Sequence, residues 1–163
     1  MTNTTHTKST IFTLWLLLAG FVVVLDQGTK HLAGAMLDPY IPVPILPFLN
    51  FTLLYNSGAA FSFLSDAGGW QRWLFIGLSI VVSAILIYWL RGVPRSEIRL
   101  PAALALVLGG ALGNLWDRIT LGAVTDFIDL YYHGWHWPTF NLADSAITLG
   151  AFLLLTTLVW KSE

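Results

Sequence analysis

Seven ionisable side chains stand at or near the ends of long apolar stretches, where they could carry out chemistry. They are Asp26, Lys30, Asp117, Arg118, Asp126, Asp129 and Asp144. An ionisable group within a membrane span costs roughly 2.5–3.5 kcal/mol on insertion scales, so such groups are functional candidates. Two carboxylates that share one proton can activate a water molecule and polarise a carbonyl group together. Because all seven residues fall toward one end of the predicted helices, we expect any chemistry to take place there.

Several of these polar residues also have purely structural interpretations. Asp26 and Lys30 are separated by four residues, which places them on one face of a helix where their charges can neutralise each other. Asn141 precedes Asp144 by three residues, so Asn141 can cap a helix whose first turn contains the carboxylate. Both interpretations remain open from the residues alone.

Three further patterns are equally open. Asp117 and Arg118 can form an ion pair at the membrane interface, and residues 56–58 can form a simple turn. Gly109 and Gly113 form a GxxxG pair, which indicates close packing of two helices more often than ligand binding.

A metal site is the main chemical alternative to paired carboxylates. Asp129, His133 and His136 are metal-ligating types, and Asp126 or Asp144 could add a further ligand. However, His133 falls at a predicted hairpin turn, where its side chain would point away from the others. We therefore expect no metal and no other cofactor.

Composition excludes other classes of chemistry. The chain has no cysteine, which rules out thiolate catalysis, thiolate-held zinc and iron–sulfur clusters. Its net charge of −1 provides no basic surface for nucleic acid, so we expect no nucleic-acid partner. A serine hydrolase using Lys30 as base with Ser57 or Ser62 is chemically feasible, although no spacing selects it.

The elements that must position these residues are membrane-spanning helices. The chain is 56% hydrophobic and 10% charged, with a mean hydropathy of +0.70, which is typical of an integral membrane protein. The apolar stretches predict one mainly α domain over residues 1–163, with four transmembrane helices at about 11–36, 73–90, 100–116 and 142–160. The predicted outer loops are then about 37–72 and 117–141.

Basic residues predict the orientation of these spans. Lys8, Arg91, Arg95, Arg99 and Lys161 all fall at the termini or in the second loop. Cytoplasmic segments are enriched in Lys and Arg, so both termini are predicted to be cytoplasmic and the first and third loops to face outward.

The outward loops also contain signals for a small β-sheet. Four prolines within residues 39–47 oppose a helix there, and residues 49–55 have strand propensity. In the third loop, residues 128–132 and 135–137 flank His133-Gly134, a plausible hairpin turn. We expect a small sheet and loop subdomain on the outer (periplasmic or extracellular) face, resting on the helix ends.

Five motifs in this order resemble those of the lipoprotein signal peptidase family, also called signal peptidase II. They read Asp26-Gln-Gly-Thr-Lys30, Asn56-Ser-Gly-Ala-Ala-Phe61, Gly109-Gly-Ala-Leu-Gly-Asn-Leu-Trp-Asp-Arg118, Val124-Thr-Asp-Phe127 and Trp137-Pro-Thr-Phe-Asn-Leu-Ala-Asp144. The resemblance covers residues 26–144. It implies a membrane-embedded aspartic endopeptidase that removes the signal peptide from diacylglyceryl-modified prolipoproteins, cutting just before the lipidated cysteine.

The resemblance also assigns roles to individual residues. It implies that Asp126 and Asp144 are the catalytic pair, a choice that spacing alone cannot make between Asp126 and Asp129. The residues implied to bind substrate are Asn56, Asn114, Arg118 and Asn141, and those implied to support the site are Asp26, Lys30, Gly110 and Gly113. The N-terminus of the fourth helix favours a charged Asp144, which predicts Asp144 as base and Asp126 as acid.

The expected setting and partners follow from the same resemblance. It implies a multi-pass protein of the bacterial cytoplasmic (inner) membrane with its active site near the outer face. The partners are prolipoprotein substrates and membrane lipid, and cyclic-peptide inhibitors of the family are expected to bind at the aspartates. A non-enzymatic protein that binds lipid or peptide, or a small transporter, is the rival class, but no polar groups are evident near the bilayer midplane.

Overall fold

The computed structural model describes residues 3–58, 69–94 and 96–160, with the side chains of residues 11–58, 69–94 and 96–157. In this part of the chain, the elements in order are α1 (Asn3–Met36), β1 (Val43–Leu46), β2 (Leu49–Asn56), α2 (Trp70–Gly92), α3 (Arg99–Thr120), β3 (Val124–Tyr132), β4 (Trp135–His136) and α4 (Leu142–Trp160). A mainly helical fold with one small antiparallel sheet is therefore confirmed.

Helices occupy all four of the apolar stretches predicted to span the membrane. Among the described residues, Ile11–Met36 of α1, all of α2 and all of α3 are long and apolar enough to cross a membrane. The apolar stretch of α4, Leu142–Thr157, is shorter. Membrane crossing by α4 and the orientation of the bundle stay predictions. Of the basic residues that predict this orientation, Arg95, Lys161 and the side chain of Lys8 lie outside the described part.

The helix α3 ends four residues later than the predicted span 100–116. It continues to Thr120, so Asp117 and Arg118 belong to its last turns and not to the predicted loop 117–141. The prediction stopped at the first charged residue because an exposed charge would be unfavourable in lipid. Asp117 is only 2% exposed, however, and its carboxylate has partners inside the protein.

The helix α3 lies at the centre of the bundle and packs against each of the other three helices. Its residues Ala103, Leu104, Ala105 and Leu108 are essentially inaccessible to solvent. This central position explains why α3 has small residues on more than one face, since each neighbouring helix approaches it closely.

Two adjacent glycines of α3 permit close approach on two different sides. A Cβ atom on Gly109 would lie 2.7 Å from the backbone oxygen of Ala19 on α1. A Cβ atom on Gly110 would overlap the backbone oxygen of Ala143 on α4. Because backbone atoms cannot move aside cheaply, any larger residue would force the helices apart. The close-packing interpretation of the GxxxG pair is therefore confirmed for Gly109.

The sheet joins the first and third loops. Its strand order is β1-β2-β3-β4, and neighbouring strands are antiparallel. The pairing of β2 with β3 brings together segments about 70 residues apart, with Asn56 opposite Val124 and Asn50 opposite Asp129. The sheet thus places the third-loop carboxylates beside residues of the first loop.

The hairpin between β3 and β4 confirms the predicted turn. His133 has φ 47° and Gly134 has φ 80°, the pair of left-handed conformations that a two-residue type I′ turn requires. The strand β3 begins at Val124, four residues before the predicted strand start at 128, so Asp126 lies on a strand and not in a loop.

Candidate active site

A buried ionic cluster of Asp26, Lys30 and Asp117 joins α1 to α3. The Lys30 Nζ atom lies 2.8 Å from Asp26 Oδ2, 3.0 Å from Asp117 Oδ2 and 2.9 Å from Asn114 Oδ1. An ammonium group has three hydrogens to donate, and here each has an oxygen acceptor. The predicted pairing of Asp26 with Lys30 is therefore confirmed. With its nitrogen engaged in this way, Lys30 is poorly placed to act as the base for a serine; Ser62 lies outside the described residues.

The same cluster reaches the residue that precedes each candidate aspartate. Asp26 Oδ1 accepts a hydrogen bond from the backbone N of Ala143 at 2.9 Å, in the first turn of α4. Asp117 Oδ2 accepts one from the backbone N of Thr125 at 2.9 Å, on β3. Since Ala143 precedes Asp144 and Thr125 precedes Asp126, the cluster fixes the backbone beside both carboxylates.

Gly113 leaves the space that this cluster needs. A Cβ atom at this position would lie 2.5 Å from Asp26 Oδ2 and 3.5 Å from the Cβ atom of Ala143. A side chain here would push Asp26 away from α4. Gly110 and Gly113 both lie where α3 closely approaches its neighbours, and their role as supporting residues stays a prediction.

The interpretation of Asp117 and Arg118 as an ion pair with each other is wrong. Asp117 pairs with Lys30, whereas Arg118 donates to the backbone oxygens of Asn114 (3.3 Å) and Gly58 (3.2 Å). Successive residues on a helix point in directions about 100° apart, so they do not face each other. Arg118 instead lines a cavity that Asp126 and Asp144 also line.

Asp126 accepts hydrogen bonds from two asparagines on different elements. Its Oδ2 atom accepts from Asn56 Nδ2 at 3.1 Å, and its Oδ1 atom accepts from Asn141 Nδ2 at 2.7 Å. The side chain is 3% exposed. Asn141 also donates to the backbone oxygen of Thr125 at 3.2 Å, which holds β3 against the start of α4.

Asp144 lies in the first turn of α4 and is held by two other donors. Asn114 Nδ2 donates to its Oδ1 atom at 2.8 Å, and the backbone N of Asn141 donates to its Oδ2 atom at 3.3 Å. In return, the backbone N of Asp144 donates to Asn141 Oδ1 at 2.9 Å. These reciprocal bonds form a capping box, so the predicted cap is confirmed. Asn141 thus contacts both candidate aspartates.

Both aspartates line one cavity of about 790 Å³. Its polar lining includes Asn56, Asn114 and Arg118, and its apolar lining includes Leu130, Trp137, Phe140, Ile147, Leu149 and Phe152. From Asp144 to Phe152 the helix rises about 12 Å at 1.5 Å per residue, so the apolar part extends along α4 away from the carboxylates. The cavity therefore combines an acidic end with an apolar channel.

The surroundings of Asp126 favour its protonated form. The pKa of Asp126 is raised from 3.8 to about 7, mainly by burial and to a smaller extent by the charge of Asp144. The hydrogen bonds from Asn56 and Asn141 and the charge of Lys30 act in the opposite direction but do not cancel this effect. Asp126 therefore holds a proton far above the pH at which an exposed aspartate loses it.

Asp129 lies in a different environment, on β3 but away from this cavity. Burial alone would raise its pKa, but hydrogen bonds from His136, Asn50 and Thr52 outweigh that effect, so the pKa of Asp129 is lowered. His133 lies in the hairpin turn with its ring against Tyr132. Within the described residues, no group of three or more His, Asp and Glu side chains is arranged to hold a metal ion.

Two participants have a role that the sequence did not assign: Asp117 was a functional candidate with no specific part in the site, and Gln27 was not singled out. Asp117 is the link between Lys30 and β3, and Gln27 donates to Asp117 Oδ1 at 2.8 Å and to the backbone oxygen of Gly113 at 3.1 Å. A polar residue directly after Asp26, inside a predicted span, was a usable signal for Gln27. Residues 59–61 of the second motif lie outside the described part of the chain.

Comparisons with known proteins show similarity over most of the chain. The model of the family described as signal peptidase (SPase) II matches residues 18–160. A lipoprotein signal peptidase from Acinetobacter baylyi is 60% identical over 142 residues, covering 87% of this chain and 79% of that protein. One from Hydrogenovibrio crunogenus is 51% identical over 153 residues, covering 94% and 88%.

Two solved structures have the same fold. Both are bacterial membrane enzymes determined by the in meso method. The first superposes with a TM-score of 0.83 at 33% identity, over 93% of this chain and 90% of that one. The second has a TM-score of 0.78 at 34% identity, over 90% and 92%.

The ionic cluster predicts the effect of removing its cation. Lys30→Met leaves Asp26 and Asp117 buried without a counter-charge, which is expected to lower the free energy of unfolding by about 3–5 kcal/mol. Thermal unfolding of the detergent-solubilised protein measures this loss. Arg91→Met, which removes an exposed cation from α2, is the matched control and is expected to have little effect. Equal effects of the two substitutions would contradict a stabilising role for the cluster.

The raised pKa of Asp126 predicts a pH-dependent stability. The folded protein holds this proton up to about pH 7, whereas the unfolded chain releases it near pH 4, so ionisation of Asp126 destabilises the fold increasingly across that window. Asp126→Asn does not titrate. Its melting temperature minus that of the wild type is therefore expected to increase from pH 4 to pH 7 and then level off.

The control for this experiment is Asp38→Asn, which removes an exposed negative charge from the first loop. Melting temperatures of both variants and the wild type are compared in detergent at steps between about pH 4.5 and pH 8. A constant difference between Asp126→Asn and the wild type would mean that Asp126 is ionised throughout this range.

Proposed function

Because the chain belongs to the signal peptidase II family, and is therefore a protease with the function of a lipoprotein signal peptidase, we propose that it is an aspartic endopeptidase that uses Asp126 and Asp144. Its substrates are proposed to be diacylglyceryl-modified prolipoproteins. Cleavage takes place immediately N-terminal to the lipidated cysteine, which frees the amine of that cysteine and leaves the new carboxyl group on the signal peptide.

One observation carries the catalytic assignment. Asp126 and Asp144 line the same cavity and are bridged by Asn141, which donates from its side chain to one and from its backbone to the other. Asp129 has no such position, because its carboxylate is engaged with His136, Asn50 and Thr52 outside the cavity. This difference supports Asp126 as the partner of Asp144.

The proposed mechanism divides the work between one acid and one base. Asp126 carries the shared proton in the resting state, because burial and, to a smaller extent, the charge of Asp144 raise its pKa to about 7. It hydrogen-bonds the oxygen of the scissile carbonyl and makes the carbon electrophilic. Asp144, at the N-terminus of α4, is the carboxylate that accepts a proton from the attacking water. In the tetrahedral intermediate, Asp144 gives the proton it took from water to the amide nitrogen, and the C–N bond breaks. Asp126 recovers its proton from a hydroxyl of the intermediate, which becomes the new carboxyl group, so both aspartates return to their starting state.

Four polar residues are proposed to bind the substrate peptide near the acidic end of the cavity. They are Asn56, Asn114, Arg118 and Asn141. Asn56 and Asn141 orient Asp126, and Asn114 orients Asp144. The three asparagines therefore also hold the two carboxylates in position before the substrate binds. Arg118 lies over the ring of Phe75 at 5.1 Å and presents a cation to the cavity. No cofactor or metal takes part in the proposed reaction.

The apolar channel along α4 is proposed to receive the lipid of the substrate. Leu149 and Phe152, which line it, are 52% and 62% exposed, so the channel is open at its side. Acyl chains could then enter from the surrounding bilayer without passing through water. Cyclic-peptide inhibitors of the family are proposed to bind at the aspartates, where they would block the same cavity.

The proposed location is the bacterial cytoplasmic (inner) membrane. Both termini are proposed to be cytoplasmic, with the active site and the sheet at the outer face. The distribution of the basic residues supports this orientation. It also suits the reaction, since a lipidated precursor held by its signal helix presents the scissile bond at a fixed depth near the outer surface.

The dyad predicts the activity of three matched variants. Asp126→Asn and Asp144→Asn keep the shape of the site but remove the proton exchange, so each is expected to lower kcat by at least about 1,000-fold. Asp129→Asn is expected to retain most of its turnover at saturating substrate. Release of the signal peptide from a lipidated precursor in detergent measures all three.

Two further measurements complete this test. The double variant of Asp126 and Asp144 is expected to be hardly slower than either single one, because both disable the same step. Metal chelators are expected to leave turnover unchanged. Substantial turnover by well-folded Asp126→Asn or Asp144→Asn would refute the dyad, and loss of kcat in well-folded Asp129→Asn would show that the wrong aspartate was chosen.

The apolar channel predicts that the enzyme distinguishes lipidated from unlipidated precursor. Acyl chains in the channel would hold the scissile bond at the aspartates, and loss of such positioning can lower rates by about 100-fold or more. We therefore expect kcat/KM for an unlipidated precursor of the same sequence to fall by at least that factor. Equal values for the two precursors would remove the lipid-binding part of the proposal but not the catalytic pair.

A further inference from the structure

Asp129 joins three strands of the sheet although it lies outside the cavity. Its Oδ1 atom lies 2.7 Å from Nδ1 of His136 on β4. Its Oδ2 atom accepts from Asn50 Nδ2 at 3.2 Å and from Thr52 Oγ1 at 3.1 Å, both on β2. An ionised carboxylate can only accept hydrogen bonds, so Nδ1 of His136 carries the hydrogen. Asp129 therefore ties β4 to the centre of the sheet.

The strand β4 depends on such side-chain contacts because it is very short. It has two residues, Trp135 and His136, paired with Tyr132 and Tyr131 respectively. The ring of His136 is stacked on that of Tyr131, with centroids 5.4 Å apart and planes 19° apart. The imidazole thus makes both a stacking contact and a charge-assisted hydrogen bond.

The segment that follows β4 forms one wall of the cavity. Residues 137–140, called here the groove wall, all line it. The backbone N of Trp137 donates to the backbone oxygen of Leu130 at 2.8 Å, and the backbone N of Phe140 donates to that of Ile128 at 3.1 Å, both on β3. Between these two points lies Pro138, which has no N–H to donate. The position of the groove wall therefore depends on what holds its two ends.

We propose that the Asp129–His136 pair is a positioning element for the groove wall and thereby determines how tightly the enzyme binds its substrate. This inference rests on the proposed function and goes beyond it. Neither residue is among those that line the cavity, so the pair acts through Trp137 and Phe140, which do.

The kinetic signature of this role differs from that of the catalytic pair. A wall that contacts the substrate binds the ground state and the transition state alike. Loss of such uniform binding raises KM and leaves kcat unchanged, whereas loss of a catalytic carboxylate lowers kcat. A change that only loosened the whole fold would instead lower the melting temperature and the fraction of active enzyme.

Two substitutions separate the hydrogen bond from the packing. His136→Phe retains a ring that can stack on Tyr131 but cannot donate to Asp129. Asp129→Asn retains the shape but has one acceptor oxygen where the carboxylate has two. Each is expected to raise KM for the lipidated precursor by about 3- to 10-fold, the range of a side-chain coupling of roughly 0.7–1.4 kcal/mol, with kcat within about twofold of the wild type.

Three more variants sharpen the test. The double variant of Asp129 and His136 is expected to match the more affected single variant, since both lose the same contact. His136→Gln, which keeps a donor, is expected to lie nearer the wild type. Should His136→Phe not fold, Asp129→Asn tests the weakening of the same contact. His133→Asn is the matched control: it changes the other hairpin histidine, at a positive φ that asparagine tolerates, and is expected to leave KM unchanged.

A direct measurement of the wall uses the absence of cysteine from the chain. A single nitroxide label on Thr139→Cys reports the mobility of the groove wall, which is expected to increase with His136→Phe but not with His133→Asn. Unchanged KM and unchanged label mobility in folded Asp129→Asn and His136→Phe would overturn the inference, as would a lower kcat at unchanged KM. Failure of the wild type to cleave the lipidated precursor would instead overturn the proposed function itself.

Discussion

The structure depends on one buried ammonium group. Lys30 balances the carboxylates of Asp26 and Asp117 in a region from which water is largely excluded, and breaking such a group leaves uncompensated charge. Each carboxylate also accepts a hydrogen bond from a distant backbone amide. The amide is at the start of α4 for Asp26 and on β3 for Asp117. Two elements that are far apart in the chain are thereby fixed to α1 and α3. The geometry of the proposed dyad follows from this arrangement, because the two held amides belong to the residues directly before Asp144 and Asp126.

Asparagine side chains connect this cluster to the dyad. Asn114 accepts a hydrogen bond from Lys30 and donates to Asp144, and Asn141 donates to Asp126 while capping α4. An amide both donates and accepts but does not titrate. These residues can therefore hold the carboxylates in place without competing for the proton that the dyad shares. This division explains how a strongly polar site is tolerated between helices that are otherwise apolar.

The sheet contributes the second half of the site. The pairing of β2 with β3 places Asn56 beside Asp126, and the hairpin places the groove wall opposite α4. The two buried aspartates on β3 have opposite surroundings. Burial, with a smaller contribution from the charge of Asp144, raises the pKa of Asp126. At Asp129, three hydrogen-bond donors outweigh the effect of burial and lower the pKa. One carboxylate is thus suited to hold a proton and the other to hold a strand. Residue type alone does not distinguish them.

Local features could be read from the sequence because they depend on residues a few positions apart. The apolar stretches, the Asp26–Lys30 spacing, the Asn141 cap and the His133-Gly134 turn all follow from helix or hairpin periodicity, and the ordered motifs indicated the family. Other features depended on contacts between residues about 70 or more positions apart, which spacing does not encode. They include the pairing of β2 with β3 and the choice of Lys30, not Arg118, as the partner of Asp117. The end of α3 at Thr120 belongs with them, because a charged residue continues a buried helix only where a distant partner neutralises it.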